Sequence, residues 1–253
     1  MNYDAFMEPL SFFLTGVDKH SVFRRDDLYQ NGMAFFDMIF EAMSHMPTAS
    51  VYCAMDELDN HDHSRFMTRT NGRVGRLETL GAEAAGEDIH PEVFREGVVI
   101  QMTWPGAPTI YYGDEAGLTG WTDPDNRRTY PWGHEDASLI AFFKALSKLR
   151  EDMPVLRGGS LKPLCAGYGY IAYARFDASD TVIVACNNTE RPIPLDLPLR
   201  DLGIADATPL LTRLCTNEDG YDTENALAGT VTEGILRLTM PAHSASILSP
   251  QDA

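Results

Sequence analysis

The N-terminal part of the chain contains three stretches in which apolar residues recur every three or four positions. They cover residues 30–45, 91–104 and 137–150. This spacing places the apolar side chains on one face of an α-helix. Pro91 suits the first turn of the second helix, and Asp136 precedes the third as a candidate N-cap. The pattern therefore predicts three amphipathic helices.

Short apolar runs and polar loops separate these helices. The runs SVYCAM (50–55) and APTIYYG (107–113) predict buried β-strands. The polar loops DELDNHDHSRF (56–66) and DPDNRR (123–128) follow them along the chain. Helices that alternate with strands are typical of β/α units with a parallel sheet, whose sites lie at the carboxyl ends of the strands. We therefore predict an α/β domain over residues 1–155, with its functional residues in the two loops.

The pattern changes after about residue 156. Short apolar runs, separated by Gly, Pro, Asn and Asp, replace the helical periodicity; they are YIAYARF, TVIVACNN, PIPLDLP, TPLLTRL, GILRLTM and SASIL. Many short strands with turn residues between them are typical of an antiparallel β-sandwich. We predict such a domain over residues 156–253, joined to the first by RGGS (157–160).

The charge of the chain restricts its partners. With 37 acidic against 20 basic residues, the formal net charge is −17. Such a chain repels phosphates, so we expect neither nucleic acid nor an anionic membrane as a partner. No apolar run reaches the length of about 18 residues that indicates a membrane span. The N-terminus also lacks the pattern of a signal peptide, and a cytoplasmic location is the expectation.

The loop NHDHSR (60–65) allows three interpretations. His61, Asp62 and His63 could bind a metal ion, but neighbouring residues of an extended segment point in opposite directions and no zinc spacing is present. The loop could simply be solvated. It could also bind a sugar, because a carboxylate beside a histidine accepts hydrogen bonds from vicinal hydroxyls, and Arg65 could keep that carboxylate ionised.

The second loop, DPDNRR, starts like a calcium-binding loop but departs from it. The sixth position, where an EF-hand requires glycine, is Arg128, and the twelfth is His134 instead of glutamate. Three aromatic residues surround the loop: Trp121, Tyr130 and Trp132. Exposed aromatic rings beside Asp and Arg suit a carbohydrate, which has apolar faces and polar edges. Alternatively, the rings only pack the loop onto the domain.

Two strings of this sequence resemble a known family. NHDHSRF (60–66) and PGAPTIYYGDEAGLTGWTDPDNRRTYPW (105–132) are similar to motifs of glycoside hydrolase family 13, the alpha-amylase family. The second string is most similar to the neopullulanase, cyclomaltodextrinase and maltogenic amylase group. The resemblance extends from Met1, with MNYDAF (1–6) similar to the end of the sixth barrel strand, through the third helix. It implies the C-terminal portion, about strands six to eight, of a (β/α)₈ TIM barrel, followed by an antiparallel β-sandwich.

The resemblance also implies roles for individual residues. Asp62 corresponds to the aspartate that binds sugar hydroxyls and stabilises the oxocarbenium-like transition state, and His61 to the adjacent hydroxyl donor. Asp123 and Arg127 match residues that line the donor side of the groove. The implied substrates are α-glucans such as maltooligosaccharides and cyclodextrins. The resemblance implies no cofactor here, although calcium remains possible in the complete parent enzyme.

Two carboxylates of the family are missing from this sequence. Retaining hydrolysis needs a nucleophile and an acid/base about 5–5.5 Å apart, and in the family both precede the sixth strand. Asp56, Glu57, Asp59, Asp114 and Glu115 fit neither motif. We therefore expect an inactive C-terminal part of a glycosidase.

An inactive C-terminal part is consistent with several binding partners and several origins of the chain. The expected partner is an N-terminal half-barrel polypeptide, or another copy bound through open barrel edges. The alternatives are a non-catalytic carbohydrate-binding or assembly module, a decayed gene fragment, and a metal-dependent hydrolase.

Overall fold

The computed structural model describes residues 1–251, so residues 252 and 253 of the predicted second domain lie outside the described part. A π-helical turn, Tyr3–Met7, precedes eight α-helices in this part of the chain. They are α1 (Glu8–Thr15), α2 (Gly32–Ser44), α3 (Thr48–Cys53), α4 (Phe66–Arg69), α5 (Leu77–Leu80), α6 (Pro91–Thr103), α7 (Ala137–Asp152) and α8 (Val155–Gly158). None of the helices described for residues 1–251 is both long and apolar enough to cross a bilayer.

The three predicted helices are confirmed as α2, α6 and α7. Asn31 caps α2 by accepting a hydrogen bond from the Ala34 N–H. Pro91 is the first residue of α6. The Asp136 carboxylate accepts from the N–H groups of Ser138 and Leu139, as an N-cap does. Asn31, Pro91 and Asp136 therefore mark the starts of these helices, where the apolar pattern begins.

Eleven β-strands lie within residues 1–251. They are β1 (Met55–Asp56), β2 (Ala107–Pro108), β3 (Ser160–Gly167), β4 (Tyr170–Phe176), β5 (Thr181–Asn187), β6 (Ile193–Pro198), β7 (Pro209–Thr216), β8 (Tyr221–Asp222), β9 (Leu227–Thr230), β10 (Ile235–Met240) and β11 (Ser244–Pro250). An α/β part is thus followed by an all-β part, and the chain has the fold of a partial TIM barrel with a C-terminal β-sandwich.

Both strands predicted in the α/β part are shorter than expected. Residues 48–53 of the SVYCAM region form α3, because the chain begins a helix directly after Pro47 and packs Val51 inward. In APTIYYG only β2 is a strand, paired in parallel with β1. Within residues 1–251 the other edge of β2 has no strand partner. Ile110 and Tyr112, which follow β2 along the chain, are 40% and 41% exposed instead of buried.

The start of the chain also differs from the strand end that the resemblance suggests. The helix begins already at Tyr3. Only Asn2 keeps a strand-like contact, because its N–H donates to the Met55 carbonyl of β1.

The larger sheet of the β-part is buried on both faces. Its order is β3-β4-β5-β11-β7-β8, with β9 also paired to β7, and β6 pairs with β10 in a second sheet. In β5, Val182 and Val184 face the helices, whereas Ile183 and Ala185 face the second sheet. Strands covered on both faces have uninterrupted apolar sequences. This explains why YIAYARF and TVIVACNN were predicted correctly.

Buried polar groups join the helical part to the sheet. The Arg175 guanidinium of β4 donates to the carbonyls of Thr103, Leu156 and Gly159. The Asn188 amide donates to the carbonyl of Leu14 at 3.0 Å. Since an unsatisfied buried polar group is costly, these bonds fix how the two parts pack.

Glu96 of α6 is a carboxyl group buried at this same junction. Its Oε2 accepts from the Cys186 thiol of β5 at 3.6 Å, and His243 Nδ1 lies 3.8 Å from Oε1. Glu92 and Arg95 on its own helix also act on its charge. Burial raises the pKa of Glu96 well above its ordinary value of 4.5. The folded chain therefore holds this carboxyl in its protonated form more strongly than the unfolded chain does.

We predict that Glu96→Gln makes the protein more stable at alkaline pH. A carboxyl whose pKa is raised by folding contributes full stability below pH 4.5, and this contribution is lost as the pH rises towards the folded pKa. Urea unfolding should show a gain of about 1–3 kcal/mol for Glu96→Gln at pH 8, and little difference at pH 4.5. Glu41→Gln, at an exposed site on α2, is the control and should not alter the pH profile. An equal change at both pH values would contradict this assignment.

Candidate functional site

The two loops predicted to carry function meet at one edge of the molecule. β1 and β2 are parallel, with Asp56 opposite Pro108. The segment 57–65 follows β1, and the segment 109–128 follows β2. Because both strands end at the same side, their loops come together there. All four predicted site residues, His61, Asp62, Asp123 and Arg127, lie in this region.

Asp62 is a half-exposed carboxylate at the tip of the first loop. His61 Nε2 lies 3.3 Å from its Oδ1. The Asp62 N–H donates to Asn60 Oδ1 at 2.9 Å, so the loop turns tightly on the Asn60 side chain. The carboxylate and the imidazole therefore present an acceptor and a second polar group side by side to solvent.

Arg127 joins the second loop to the first. Its Nε donates to the His61 carbonyl at 3.0 Å and lies 2.8 Å from Asp123 Oδ1. Its Nη2 lies 3.8 Å from Asp62 Oδ1. The four predicted residues thus form one continuous cluster of alternating charge, which we call the Asp62 cluster: His61, Asp62, Asp123 and Arg127.

Hydrogen bonds beneath the Asp62 cluster hold its two loops in register. The buried Asn126 amide donates to the carbonyls of Asn60 and His63, at 2.9 and 2.6 Å. The Thr122 hydroxyl donates to the Asp62 carbonyl at 2.7 Å. The exposed charged groups therefore stand on a backbone that buried donors fix from below.

Arg65 does not contact Asp62, contrary to the role expected from the sequence. It is fully buried, and its Nη1 donates to Asp114 Oδ1 at 2.8 Å and lies 3.8 Å from Asp59 Oδ1. Its guanidinium also stacks over the Tyr111 ring, 3.9 Å from the centroid. A guanidinium has several donors in one plane, and carboxylates inside the protein pair with it more strongly than an exposed one does. The cation next to Asp62 is Arg127.

Two carboxyl groups share the charge of Arg65. Burial raises the pKa of Asp114 well above its ordinary value, and repulsion by Asp59 adds to this effect. Burial also raises the pKa of Asp59, whose Oδ2 accepts from the Phe66 N–H. The buried Arg69 guanidinium acts on Asp59 as well and lowers its pKa, so the extra proton is held more strongly by Asp114.

His63 points away from the Asp62 cluster. It is buried, and its ring packs edge-on against the rings of Tyr3 and His20, with centroids 4.9 and 4.8 Å apart. Burial lowers the pKa of His63 to about 3. Within residues 1–251, no three His, Cys, Asp or Glu side chains are grouped so that they could hold a metal ion.

The aromatic residues around the second loop serve two different purposes. Trp121 is fully buried and its Nε1–H donates to the Gly81 carbonyl at 2.9 Å, so it packs the loop and is not exposed as one interpretation required. Trp132 is 79% exposed, and its ring lies 4.5 Å from that of Tyr130. An exposed indole on a neighbouring ring is a flat apolar surface of the kind on which sugars stack.

Sequence reasoning missed Tyr3 and Glu57 as members of the site. The Asn60 amide donates to Glu57 Oε1 at 2.8 Å and to the Tyr3 hydroxyl at 3.1 Å. Burial raises the pKa of both groups. Nothing in the spacing of Tyr3 links it to a loop more than 50 residues away, but Glu57 lies in the same acidic run as Asp62.

The family model described as "Alpha amylase, catalytic domain" matches residues 9–136 of this chain. An amylopullulanase from Thermoanaerobacter thermohydrosulfuricus is 34% identical over 188 residues, which are 69% of this chain and 12% of the relative. A cyclomaltodextrinase from a Bacillus species is 32% identical over 158 residues, which are 61% of this chain and 25% of the relative.

A solved structure shares the fold. It is the alpha-amylase from Geobacillus thermoleovorans complexed with acarbose, at a TM-score of 0.70 and 22% identity; the match covers 96% of this chain and 47% of that one. This chain therefore spans less than half of that structure and a quarter or less of the two curated relatives. The family match covers both loops of the site and half of the chain. By this match, the chain belongs to the alpha-amylase family.

Proposed function

We propose that this chain forms the C-terminal part of the catalytic unit of a retaining α-glucan hydrolase. The observation that carries the proposal is the Asp62 cluster at the carboxyl ends of the parallel strands β1 and β2. Asp62 accepts hydrogen bonds from sugar hydroxyls beside the scissile bond, and its negative charge stabilises the positive charge that develops on the sugar ring. His61 donates to a neighbouring hydroxyl, and Asp123 and Arg127 line the groove.

The names of the relatives support an α-glucan as the ligand. They include an amylopullulanase and a cyclomaltodextrinase, and the Geobacillus amylase was solved with acarbose. The exposed Trp132 adds a stacking surface on the loop that carries Arg127. A neutral polyhydroxyl ligand also suits a chain of net charge −17, since no anion has to approach it.

We propose that the 253-residue polypeptide alone does not cleave the glycosidic bond, because it lacks the two carboxyl groups that the reaction needs. A retaining enzyme needs two carboxyl groups at about 5–5.5 Å besides the stabilising aspartate. Besides Asp62, the Asp62 cluster holds one other carboxylate, Asp123, and Arg127 engages it at 2.8 Å. Asp59 and Asp114 are buried, and both contact the Arg65 guanidinium. A nucleophile and an acid/base therefore come from another segment.

We propose that this other segment adds to the open edge of β2. Ile110 and Tyr112 in the segment directly after β2 are exposed, and Met55 of β1 is 40% exposed. Unpaired strand edges with apolar neighbours favour pairing with another chain segment. An N-terminal half-barrel would cover this edge, and a second copy of this chain is the alternative occupant.

This proposal predicts how activity differs with and without such a segment. The isolated chain should not release sugar from maltohexaose, cyclodextrins or pullulan. A chimera in which it replaces the matching segment of the Bacillus cyclomaltodextrinase should do so. In the chimera Asp62→Asn should lower kcat by roughly 100- to 1,000-fold, because a preorganised charge at the transition state is lost.

The hydrolytic activity of the isolated chain and of the chimera is measured as the release of reducing sugar. Turnover by the isolated chain that Asp62→Asn leaves unchanged would show another site at work and contradict the proposal. A folded chimera that binds maltohexaose without cleaving it, with or without Asp62, would instead favour the carbohydrate-binding module as the function.

A further prediction concerns binding by the isolated chain, and it can be tested even if the chimera does not fold. Titration with maltotriose should shift the amide NMR signals of His61 and Asp62 in a saturable manner. Arg127→Gln should raise the Kd read from these signals about 10-fold, since a hydrogen bond to a charged group is lost.

Arg25→Gln is the matched control for this titration. Arg25 pairs with Asp27 at 2.7 Å and is 48% exposed, against 47% for Arg127. Its replacement should leave the signals of His61 and Asp62 and their Kd unchanged. If both variants weaken binding equally, the effect is one of net charge and the Asp62 cluster is not the site.

A further inference from the structure

The Asn60 side chain lies where three segments of the site meet. It is 3% exposed, and its amide nitrogen donates to Glu57 Oε1 at 2.8 Å and to the Tyr3 hydroxyl at 3.1 Å. Its amide oxygen accepts from the Asp62 N–H at 2.9 Å. The two N–H bonds of the amide are therefore used by residues at the base of the loop, and the oxygen is used by the loop itself.

Glu57 contributes a buried carboxyl group to this contact. It is the first residue after β1 and is 3% exposed. Among residues 1–251 it makes no ion pair with a basic side chain, and its carboxyl group accepts a hydrogen bond from Asn60. Burial raises the pKa of Glu57. Because burying an ionisable group without a cationic partner costs free energy, Glu57 does not act here through a stabilising ion pair.

The carboxylate of Glu57 determines which way the Asn60 amide faces. A carboxylate only accepts hydrogen bonds, so it selects the NH₂ end of the amide. The amide oxygen then faces the Asp62 N–H, which needs an acceptor. If the amide were reversed, its oxygen would face the carboxylate and its NH₂ group would face the Asp62 N–H, so both contacts would be repulsive. The Tyr3 hydroxyl can donate or accept and does not select one orientation.

The orientation of this amide fixes the backbone at Asp62. The hydrogen bond that Asn60 Oδ1 accepts from the N–H two residues later closes a tight turn. In this turn the half-exposed Asp62 carboxylate lies 3.3 Å from His61 Nε2 and 3.8 Å from Arg127 Nη2. Exposed pairs of this kind hold a side chain only weakly. The position of the Asp62 carboxylate therefore depends mainly on the turn, and the turn depends on Asn60.

We infer that Glu57 is a positioning residue of the reaction: through the Asn60 amide, it holds Asp62 in the place where the carboxylate stabilises the transition state. Glu57 acts through Asn60 and does not contact the sugar. The inference rests on the proposed function for the role of Asp62. A displacement of a catalytic group by about 1 Å can lower the rate roughly 100-fold, so an acceptor two hydrogen bonds away affects turnover.

The link from Glu57 to Asp62 is tested in the 253-residue chain without sugar, by amide hydrogen exchange measured with NMR. Glu57→Leu should accelerate exchange of the Asp62 N–H about 10-fold, because the Asn60 amide is no longer held in one orientation. Glu57→Gln should exchange like the unaltered chain, since its side-chain carbonyl accepts from the same NH₂ group. If Glu57→Leu does not fold, Glu57→Ala, which adds no bulk to the buried position, is measured in its place.

Glu115→Leu is the matched control for the exchange measurement. Glu115 lies near the end of β2, and its Oε2 accepts from the Gly113 N–H at 2.9 Å. Its replacement removes the same charge without touching the contact at Asn60, and should leave exchange of the Asp62 N–H unchanged. The buried amide of Val184 in β5 reports whether each variant keeps its fold.

Kinetics of the cyclomaltodextrinase chimera test the consequence for turnover. Glu57→Leu should lower kcat about 10- to 100-fold and change KM less than about 3-fold, because a misplaced Asp62 weakens the transition state more than substrate binding. Glu57→Gln should keep most of the kcat. Adding Asn60→Leu to Glu57→Leu should lower kcat no further, since both residues act on Asp62 through one contact.

Three results would overturn the inference. The first is an unchanged exchange rate of the Asp62 N–H in folded Glu57→Leu. The second is faster exchange in that variant with kcat and KM as in the unaltered chimera. The third is an equal loss of kcat in Glu57→Leu and Glu57→Gln, which indicates a structural role. If the unaltered chimera shows no turnover, the proposed function fails, whereas the exchange rate still decides whether Glu57 positions Asp62.

Discussion

The buried guanidinium of Arg65 joins the two loops that form the site at their base. Arg65 contacts Asp114 from the loop after β2 and Asp59 from the loop after β1, and its Nε donates to the Asn126 carbonyl. Removing one partner of such a buried ion pair typically costs about 3–5 kcal/mol, because the remaining charge is left without compensation. The relative position of the loops, and with it the distance between Asp62 and Arg127, depends on this contact.

The buried interactions also decide which carboxyl groups are available for chemistry. Besides Asp62, five acidic residues lie near the ends of β1 and β2: Asp56, Glu57, Asp59, Asp114 and Glu115. Several of them are buried and interact with other groups of the protein. Asp59 and Asp114 share Arg65, Glu57 accepts from Asn60, and the pKa of Asp56 is raised by burial to about 7. Asp62 keeps its exposed carboxylate because its loop turns outward on the Asn60 side chain. Its exposure is therefore a consequence of the local backbone.

The elements that could be predicted from the sequence are those decided by local pattern. The helices α2, α6 and α7 have long apolar stripes with Asn31, Pro91 and Asp136 at their starts. The main strands of the β-part are uninterrupted apolar runs because both faces are covered. By contrast, SVYCAM has the composition of a strand, and its helical conformation depends on what packs around it.

The contacts of individual site residues could be predicted only in part. The Asp62 cluster was found through its motifs, and the structure brings its four residues together. The inward turn of Arg65 could not be seen, since its partner Asp114 lies 49 residues away. Trp121 was equally ambiguous, because an aromatic residue in a polar loop is exposed or buried according to distant contacts, here the Gly81 carbonyl. Periodicity describes one element at a time, whereas these contacts join separate elements.

We propose that the exposed Asp62 cluster serves ligand binding, because it contributes little to stability. Ion pairs that are half open to solvent contribute about 0–1 kcal/mol, so the pairs of Arg127 with Asp123 and Asp62 add little to folding. The backbone beneath them is fixed by the buried Asn126 amide, which donates to the carbonyls of Asn60 and His63. A rigid support under weakly stabilising exposed charges reduces the entropy that a bound sugar must overcome. Under the proposed function, this arrangement holds the hydrogen-bonding groups in place before the sugar binds.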